Sequence, residues 1–568
     1  MQKIFRVMII IAMLITAYLL ILAWRDDYAN APVTQAATEN AVTVGSDIPS
    51  TAAAGTGTPT GDLPAQTTAT GTVAGTDAIA KPKADAGLIK VTTDRYDIHI
   101  NPQGGDIVYA ALKQYDATLD SEEPFVLLEN DSNRVYVAQS GLIGKDGIDT
   151  AEGRANYQHS ASTYVMGKGQ QTLAVPLTYE KDGVTITKTF TFTHDKYPID
   201  VSYTIKNTSG APWEGQLFAQ LKRDDSKDPG MSDKGALSMA TYLGGAWGTP
   251  DDPYNKLKFG KFNDDKVSVS SDKGWVGIVQ HYFVSAWTPQ NFTGQFFSRE
   301  TGGDYFIGFN SKPLVVAPNK QATLTATLYT GPKVQSELKD VAVGLNKTVD
   351  YGLLWPISKV LFALLEGIHK VLGNWGWSII VLTILVKIAL MWFSNKSYYS
   401  MAKMRAIAPR LQALKEEHGA DRMKMSQEMM AIYKEEKVNP MAGCLPILLQ
   451  MPIFLALYWV LVESIELRHA PWILWIHDLS AMDPWFILPL LMGASMFVQQ
   501  QFNPQPTDPM QAKVMKFLPI IFTAFMLFFP AGLVLYWTVN NLFSMTQQYI
   551  VNKKVEEEQK RKTVKVVS

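Results

Sequence analysis

Four apolar runs in the C-terminal third decide the class of fold before any other feature. Trp377–Phe393 carries one charge, Cys444–Val462 and Pro484–Val498 carry none, and Val514–Ile550 continues for 37 residues. As a single helix the last run would extend about 55 Å, nearly twice the roughly 30 Å hydrocarbon core of a bilayer. Phe529-Pro-Ala-Gly532 sets a helix-breaking turn at its middle, so it reads as two spans, 514–530 and 532–550. With further spans at 375–394, 444–463 and 484–502, and an apolar run Val7–Trp24, the expected fold is a polytopic α-helical membrane protein with six transmembrane helices. A signal peptide is the alternative for Val7–Trp24. The only small-x-small cleavage pattern nearby, Ala29-Asn30-Ala31, lies beyond Arg25, Asp26 and Asp27 and precedes Pro32, so residues 1–25 read as an uncleaved anchor.

The formal net charge of -1 conceals two opposite parts. Residues 26–350 hold 28 Lys and Arg against 38 Asp and Glu, whereas the remainder holds 24 against 15. Lys3 and Arg6 precede the first span, basic residues outnumber acidic ones in 395–443, and Lys553, Lys554, Lys560, Arg561, Lys562 and Lys565 crowd the tail 551–568. The positive-inside rule therefore places both termini, the 395–443 segment and the 503–513 loop in the cytoplasm, with the 464–483 loop and the large 26–350 part outside. Eight tryptophans near the predicted span ends suit an aromatic belt or packing between helices.

Between residues 29 and 87 there is no aromatic residue, and 39 of 59 positions are Ala, Thr, Gly or Pro. Such a segment cannot bury a core, so 26–87 reads as a flexible tether. From 88 to 345 the texture changes to period-two alternation, as in Val184–Thr193, Ile199–Lys206 and Ala322–Leu328, which predicts antiparallel strands in a large all-β sandwich. His99, His159, His194 and His281 are scattered without metal-ligand spacing, and the single Cys444 excludes an intramolecular disulfide or a Cys-rich zinc site. Without a GxxxxGK[ST] sequence ATP use is not indicated, and no cofactor is called for. Residues 353–372 space Leu354, Ile357, Val360, Leu361, Leu364, Leu365 and Ile368 for a helix lying in the outer interface or packed on the sandwich.

Lys387 is the one charge inside a predicted span, with Thr383 one turn earlier. A lysine at a helix centre costs on the order of 2.5–3.5 kcal/mol, so it faces water or a partner, or it snorkels to the inner headgroups. Gln450, Ser495, Thr523, Thr538, Asn540, Asn541 and Ser544 bring uncharged polar groups to other spans, as interhelical glue or, with Lys387, as the lining of a hydrated cavity open to the cytoplasm. No intramembrane Asp or Glu partners Lys387, which argues against a proton relay; a solute transporter or channel with Lys387 in its pathway is the competing class. In the cytoplasmic segment, 396–417 and 421–437 read as a charged helical hairpin with a kink at Pro409. Its Met401, Met404, Met423, Met425, Met429 and Met430 suit either a face for varied apolar partners or packing within the hairpin.

Several long motifs carry a resemblance: Glu436-Lys-Val-Asn-Pro-Met-Ala-Gly-Cys-Leu-Pro-Ile-Leu-Leu-Gln-Met-Pro-Ile-Phe-Leu-Ala-Leu-Tyr458, Trp475-Ile-His-Asp-Leu-Ser480, Thr507-Asp-Pro-Met510 and Phe529-Pro-Ala-Gly-Leu-Val-Leu-Tyr-Trp537. Together they resemble the YidC/Oxa/Alb family of membrane protein insertases over 350–550, its five-helix core. The anchor, tether and β-domain resemble the Gram-negative form, whose periplasmic domain is a β-supersandwich similar to sugar mutarotases but without implied sugar chemistry. The resemblance implies an inner-membrane insertase and chaperone acting without bond chemistry or nucleotide hydrolysis. It also implies a groove open to cytoplasm and lipid, through which hydrophobic segments of nascent membrane proteins enter the bilayer, alone or with the Sec translocon. Lys387 matches the family's groove arginine; Gln450 and Trp537 match other lining positions, with Thr383, Thr523 and Asn540 beside them. Lysine keeps the charge but not the planar fork of arginine. Met401, Met404, Met425 and Met429 are the expected hairpin contacts for clients or the ribosome. Basic residues of the tail and hairpin suit ribosomal RNA, or follow simply from the positive-inside rule.

Overall fold

Alternation of apolar and polar residues builds the first half of the molecule. Val184–Thr193 pairs antiparallel with Pro198–Asn207, placing Ile186 opposite Ile205 and Phe190 opposite Val201. Pro198–Asn207 pairs in turn with Lys320–Pro332, Tyr203 opposite Leu324. Every second side chain along most of Val184–Thr193 and Pro198–Asn207 is buried, as period two requires. Asp182 and Gly183, at φ 49° and 78°, form the two-residue mirror-image turn that matches the twist of the flanking strands. The computed structural model describes residues 87–567 apart from 120, 151, 230–240, 419–421, 437, 439–444 and 504–508. The anchor 1–25 and nearly all of the tether lie outside the described residues, as do Cys444 and Thr507-Asp508 of the motifs. Among the described residues, strands between Ile89 and Pro332 form one eleven-stranded and one nine-stranded sheet, both contributing to one core.

The alternation turns one lysine inward. Lys188 shares the parity of Ile186 and Phe190 and is fully buried, its ammonium donating to the carbonyls of Gly104 (3.1 Å), Gly105 (2.7 Å) and Ser140 (3.0 Å). Burial pushes that ammonium down to about 7. Beside it Arg154 binds both carboxylate oxygens of Asp106 at 2.9 Å and reaches Asp149 Oδ1 with Nε at 2.8 Å, so these buried charges are paired.

Helix α1 (Gln335–Val341) leads out of the sandwich to α2 (Trp355–Leu372). At 3.6 residues per turn the residues of α2 fall into three sectors about 120° apart. Ser358, Leu361, Phe362 and Leu365 are buried; Ile357, Val360, Leu364 and Val371 are exposed and apolar; Lys359, Glu366 and Lys370 form the third sector. Then follow α3 (Trp375–Ala389), α4 (Met391–Ala406), α5 (Ala408–His418), α6 (Arg422–Glu435), α7 (Leu445–Glu463), α8 (Ile487–Gln501), α9 (Pro509–Met526) and α10 (Ala531–Val567).

Two features differ from the sequence expectation. The apolar run through 393 does not continue straight, because α4 bends 68° from α3 at Leu390. Among the described residues, one straight helix, Gly352–Leu372, is long and apolar enough to cross a bilayer alone, and α3 with α4 qualifies only across its bend. Helix length and hydropathy therefore do not display six separate spans. Helices α3 and α8 have 15 residues each, and α10 joins an apolar start to a charged tail; Pro452 and Pro519 lie inside α7 and α9.

The β-domain is fastened to the end of α7. Lys333, at the end of the last strand, pairs with Glu463 at 2.9 Å, both nearly fully buried, and Lys333 also donates to the Thr348 carbonyl at 3.2 Å. His281 Nε2 donates to the Val462 carbonyl at 2.8 Å, and burial beside Lys333 pushes this imidazole down to about 3. Arg468, just beyond α7, donates to the carbonyls of Asp116 and Ala117 and stacks over Phe125 and Phe283.

Candidate functional site

Three helices converge on one ammonium group. Lys387 on α3 donates from Nζ to Gln450 Oε1 of α7 at 3.1 Å and to Ser544 Oγ of α10 at 2.8 Å. Gln450 Nε2 donates to Tyr536 OH at 2.7 Å and to Asn540 Oδ1 at 2.5 Å, and Ser544 Oγ donates to the Asn540 carbonyl at 2.7 Å. Tyr536, Asn540 and Ser544 are spaced i, i+4, i+8, which sets them in one stripe on α10 facing the other two helices. Lys387 keeps 5% exposure and Asn540 8%. Among the described residues every hydrogen-bond acceptor of Lys387 is neutral, so a buried cation stands without a carboxylate. Such a group retains most of its attraction for an incoming anion, because the low-dielectric surroundings neither screen nor neutralise it.

The cluster is sealed toward the β-domain. One turn further along α7 from Gln450, Phe454 meets Trp537 edge-on at 4.6 Å, and Phe522 of α9 lies 4.8 Å from the same indole. Tyr458 packs on Phe529, and Phe529 on Phe525. In the other direction polar bridges continue: Asn541 Nδ2 donates to Ser495 Oγ of α8 at 3.0 Å, Gln547 Nε2 to Asn395 Oδ1 of α4 at 2.8 Å, and Gln548 Nε2 to Asn503 Oδ1 at 3.1 Å.

Of the residues singled out from the sequence, the structure brings together Lys387, Gln450, Asn540 and Ser544. Trp537 lies on the same face of α10, one turn away in the aromatic seal. Thr383 is buried with its hydroxyl donated to the Ile379 carbonyl of its own helix at 2.6 Å. Thr523 stands apart: its hydroxyl donates to the Pro519 carbonyl, and the side chain presses on Gly493 of α8, where a Cβ would meet Oγ1 at 2.1 Å. Met404 and Met429 pack into the small core of the hairpin with Ile407, Leu411, Leu414 and Ile432; Met401 is buried on α4 and Met425 half-buried, while Met423 and Met430 are exposed. Tyr536 is missing from the sequence reading, because a tyrosine beside Trp537 in an apolar run reads as packing; only its i, i+4 relation to Asn540 gives a signal. A groove of about 740 Å³ lies on the other side of the α3–α10 contact, lined by Ile384, Met391, Asn395, Leu542, Phe543 and Lys554 among others.

Comparison with known proteins supplies the family. A sequence profile described as the YidC periplasmic domain matches residues 88–364, and one described as 60Kd inner membrane protein matches 367–559. Relatives named membrane protein insertase YidC include those of Stutzerimonas stutzeri, 49% identical over 97% of this chain and 98% of its own, and of Pseudomonas syringae pv. syringae, 49% identical over 98% and 99%. That of Pseudomonas aeruginosa PAO1 is 48% identical over 97% and 98%. A solved structure described as an active YidC insertase with the first transmembrane domain resolved aligns with 82% of this chain and 92% of its own, at 19% identity and a TM-score of 0.35. Over such lengths and identities, the chain belongs to the YidC family, with that family's periplasmic domain followed by its inner-membrane core.

Proposed function

We propose that this protein is a membrane protein insertase that receives nascent hydrophobic segments at its helical core and passes them laterally into lipid. The observation that carries the reading is Lys387, a buried cation held, among the described residues, by neutral acceptors alone, with an aromatic seal on the periplasmic side. A client's apolar span gains transfer free energy from lipid, but its polar flank must cross hydrocarbon. An acidic flank that meets Lys387 partway crosses in two shorter steps, and its carboxylate offers the ammonium the charged partner that the resting protein does not.

The six-span topology belongs to the same reading. The three sectors of α2 correspond to protein, lipid and water, so it lies in the outer interface although it is long enough to span. Helices α3, α7, α8, α9 and the first half of α10 are then the core spans, and the 1–25 anchor is the sixth. At 1.5 Å per residue α3 and α8 extend only about 22 Å, so the bilayer beside them thins, which shortens the path of a polar flank. The whole of α10 extends about 55 Å, so its charged second half projects into the cytoplasm. There it and the 395–443 hairpin are read as contacts for the ribosome, with exposed Met423 and Met430 toward emerging clients; the Sec translocon is read as a lateral partner for longer clients.

The test is reconstitution: purified protein in liposomes, without nucleotide, presented with a small single-span client. The expected result is protease protection of the client's translocated tail. Solute flux through the same liposomes with no client insertion would overturn the reading in favour of a transporter.

A further inference from the structure

The groove between α3–α4 and α10 has no role in the insertion path described above, since Lys387 is turned to the opposite side of the α3–α10 contact. It owes its existence to the 68° bend at Leu390, which swings α4 away from the axis of α10. Gln547 bridges the gap at its floor, donating to Asn395 Oδ1 at 2.8 Å and to the Met391 carbonyl at 3.3 Å. Along the α3–α4 wall the lining passes from Ile384 and Met391 to Asn395 and Tyr399; along α10 Val539, Leu542 and Phe543 are followed by Thr546 and Gln547, then by Ile550 and Val551, and the wall ends at the charged Lys554. At the polar mouth Glu558 is engaged by the Tyr399 hydroxyl at 2.7 Å, and Lys403 Nζ stands 4.8 Å over the Tyr399 ring. Lys554 is exposed and lines the opening.

We propose that this groove binds one anionic phospholipid of the cytoplasmic leaflet, its acyl chain along Ile384, Val539, Leu542 and Phe543 and its phosphate at Lys554. Three observations select this occupant. From Val539 to Lys554 is about 22 Å along the helix, close to half the hydrocarbon core plus one headgroup layer. The charge of the lining is single-ended, with Lys554 at one mouth, as in a lipid, whereas a client helix crossing the bilayer is polar at both ends. The basic residues Lys554 and Lys403 face one mouth, where the surface potential favours anionic headgroups. The orientation rests on the topology proposed above. The bound lipid would wedge the bend open and hold α4, and with it the hairpin, at its angle.

The experiment measures lipid retention by native mass spectrometry of the full-length protein, released from detergent containing equal phosphatidylglycerol and phosphatidylcholine. The wild type is expected to retain one phosphatidylglycerol in preference to phosphatidylcholine. Lys554→Gln should reduce that preference by about fivefold, the worth of one basic residue at an anionic surface. Leu542→Trp, which fills the apolar slot, should reduce retention of both lipids, with the melting temperature of each variant checked to show that the fold survives. Equal retention of the two lipids by the wild type, or retention unaltered in both variants, overturns the proposal. So does crosslinking of a client segment to position 542 while phosphatidylglycerol retention stays intact. Client insertion into pure phosphatidylcholine liposomes is scored separately, so failure of the insertase reading and failure of this one give different results.

Discussion

At the scale of single residues, the proposed mechanism turns on the charged partner that Lys387 lacks among the described residues. Its two acceptors, Gln450 and Ser544, are neutral, and an internal carboxylate would give it the charged partner that a client is proposed to provide. Gln450→Glu is therefore expected to leave the protein folded while slowing insertion of acidic-tailed clients to the level of Lys387→Gln; a protease-protection assay with both variants measures this. Gln450→Leu acts differently, leaving Tyr536 and Asn540 without their shared donor and Lys387 with one acceptor. Its expected cost is about 1.5–3 kcal/mol, read as a lower midpoint of thermal unfolding in detergent. Lys387 was legible in the sequence because a charge in an apolar run needs a reason, and Gln450 and Asn540 because polar residues in spans are few. Which of them meet was not legible: Asn540 joins the cluster and Thr523 does not, and that depends on how α9 and α10 are rotated about their axes. Thr523 found a local acceptor in the Pro519 carbonyl and a packing partner in Gly493, so it has no need of the cluster.

At the scale of elements, turns with a chemical cause were readable and bends imposed by packing were not. Pro409 sits just inside α5 and the chain breaks at Ile407; Phe529-Pro530 lies between α9 and α10. The bend at Leu390 has no proline or glycine, and hydropathy is continuous across it, so nothing in the sequence distinguished it from a straight helix. The fastening of the β-domain was equally hidden, because Lys333 and Glu463 are 130 residues apart. Breaking this buried pair by Glu463→Ala is expected to destabilise the junction by about 3–5 kcal/mol, whereas the double change Lys333→Met with Glu463→Leu should restore most of it. Limited proteolysis between the β-domain and α2 reports the loss. The same junction responds to acid. His281 is held down at about 3 by burial, against about 6.5 when unfolded, so the unfolded chain binds a proton first as pH falls. Stability from this group is complete above about pH 6.5 and is lost as pH falls toward 3. Relative to His281→Gln, the wild type should lose about 1–2 kcal/mol between pH 7 and pH 5, measured by chemical denaturation at each pH.

At the scale of the whole molecule, the near-neutral total charge divides into an acidic part, residues 26–350, and a basic remainder whose helical core holds, among the described residues, one buried cation. The expected all-β domain is present, and the alternation that announced it also set Lys188 inward. The basic second half of α10 leads to a prediction for ribosome binding: deletion of 553–568 should weaken cosedimentation with ribosomes, and raising salt from 50 to 200 mM should weaken the wild type in the same way, as for any phosphate-directed contact. Unchanged cosedimentation would leave those residues as positive-inside determinants alone. The central claim, that Lys387 acts on clients through its charge, is tested most directly by one comparison. Two clients identical except for an acidic or a basic translocated tail are inserted by the wild type, Lys387→Arg and Lys387→Glu at equal protein levels in liposomes. The account predicts that Lys387→Arg preserves the preference for the acidic tail and that Lys387→Glu reverses it. Equal insertion of both clients by all three proteins would contradict it.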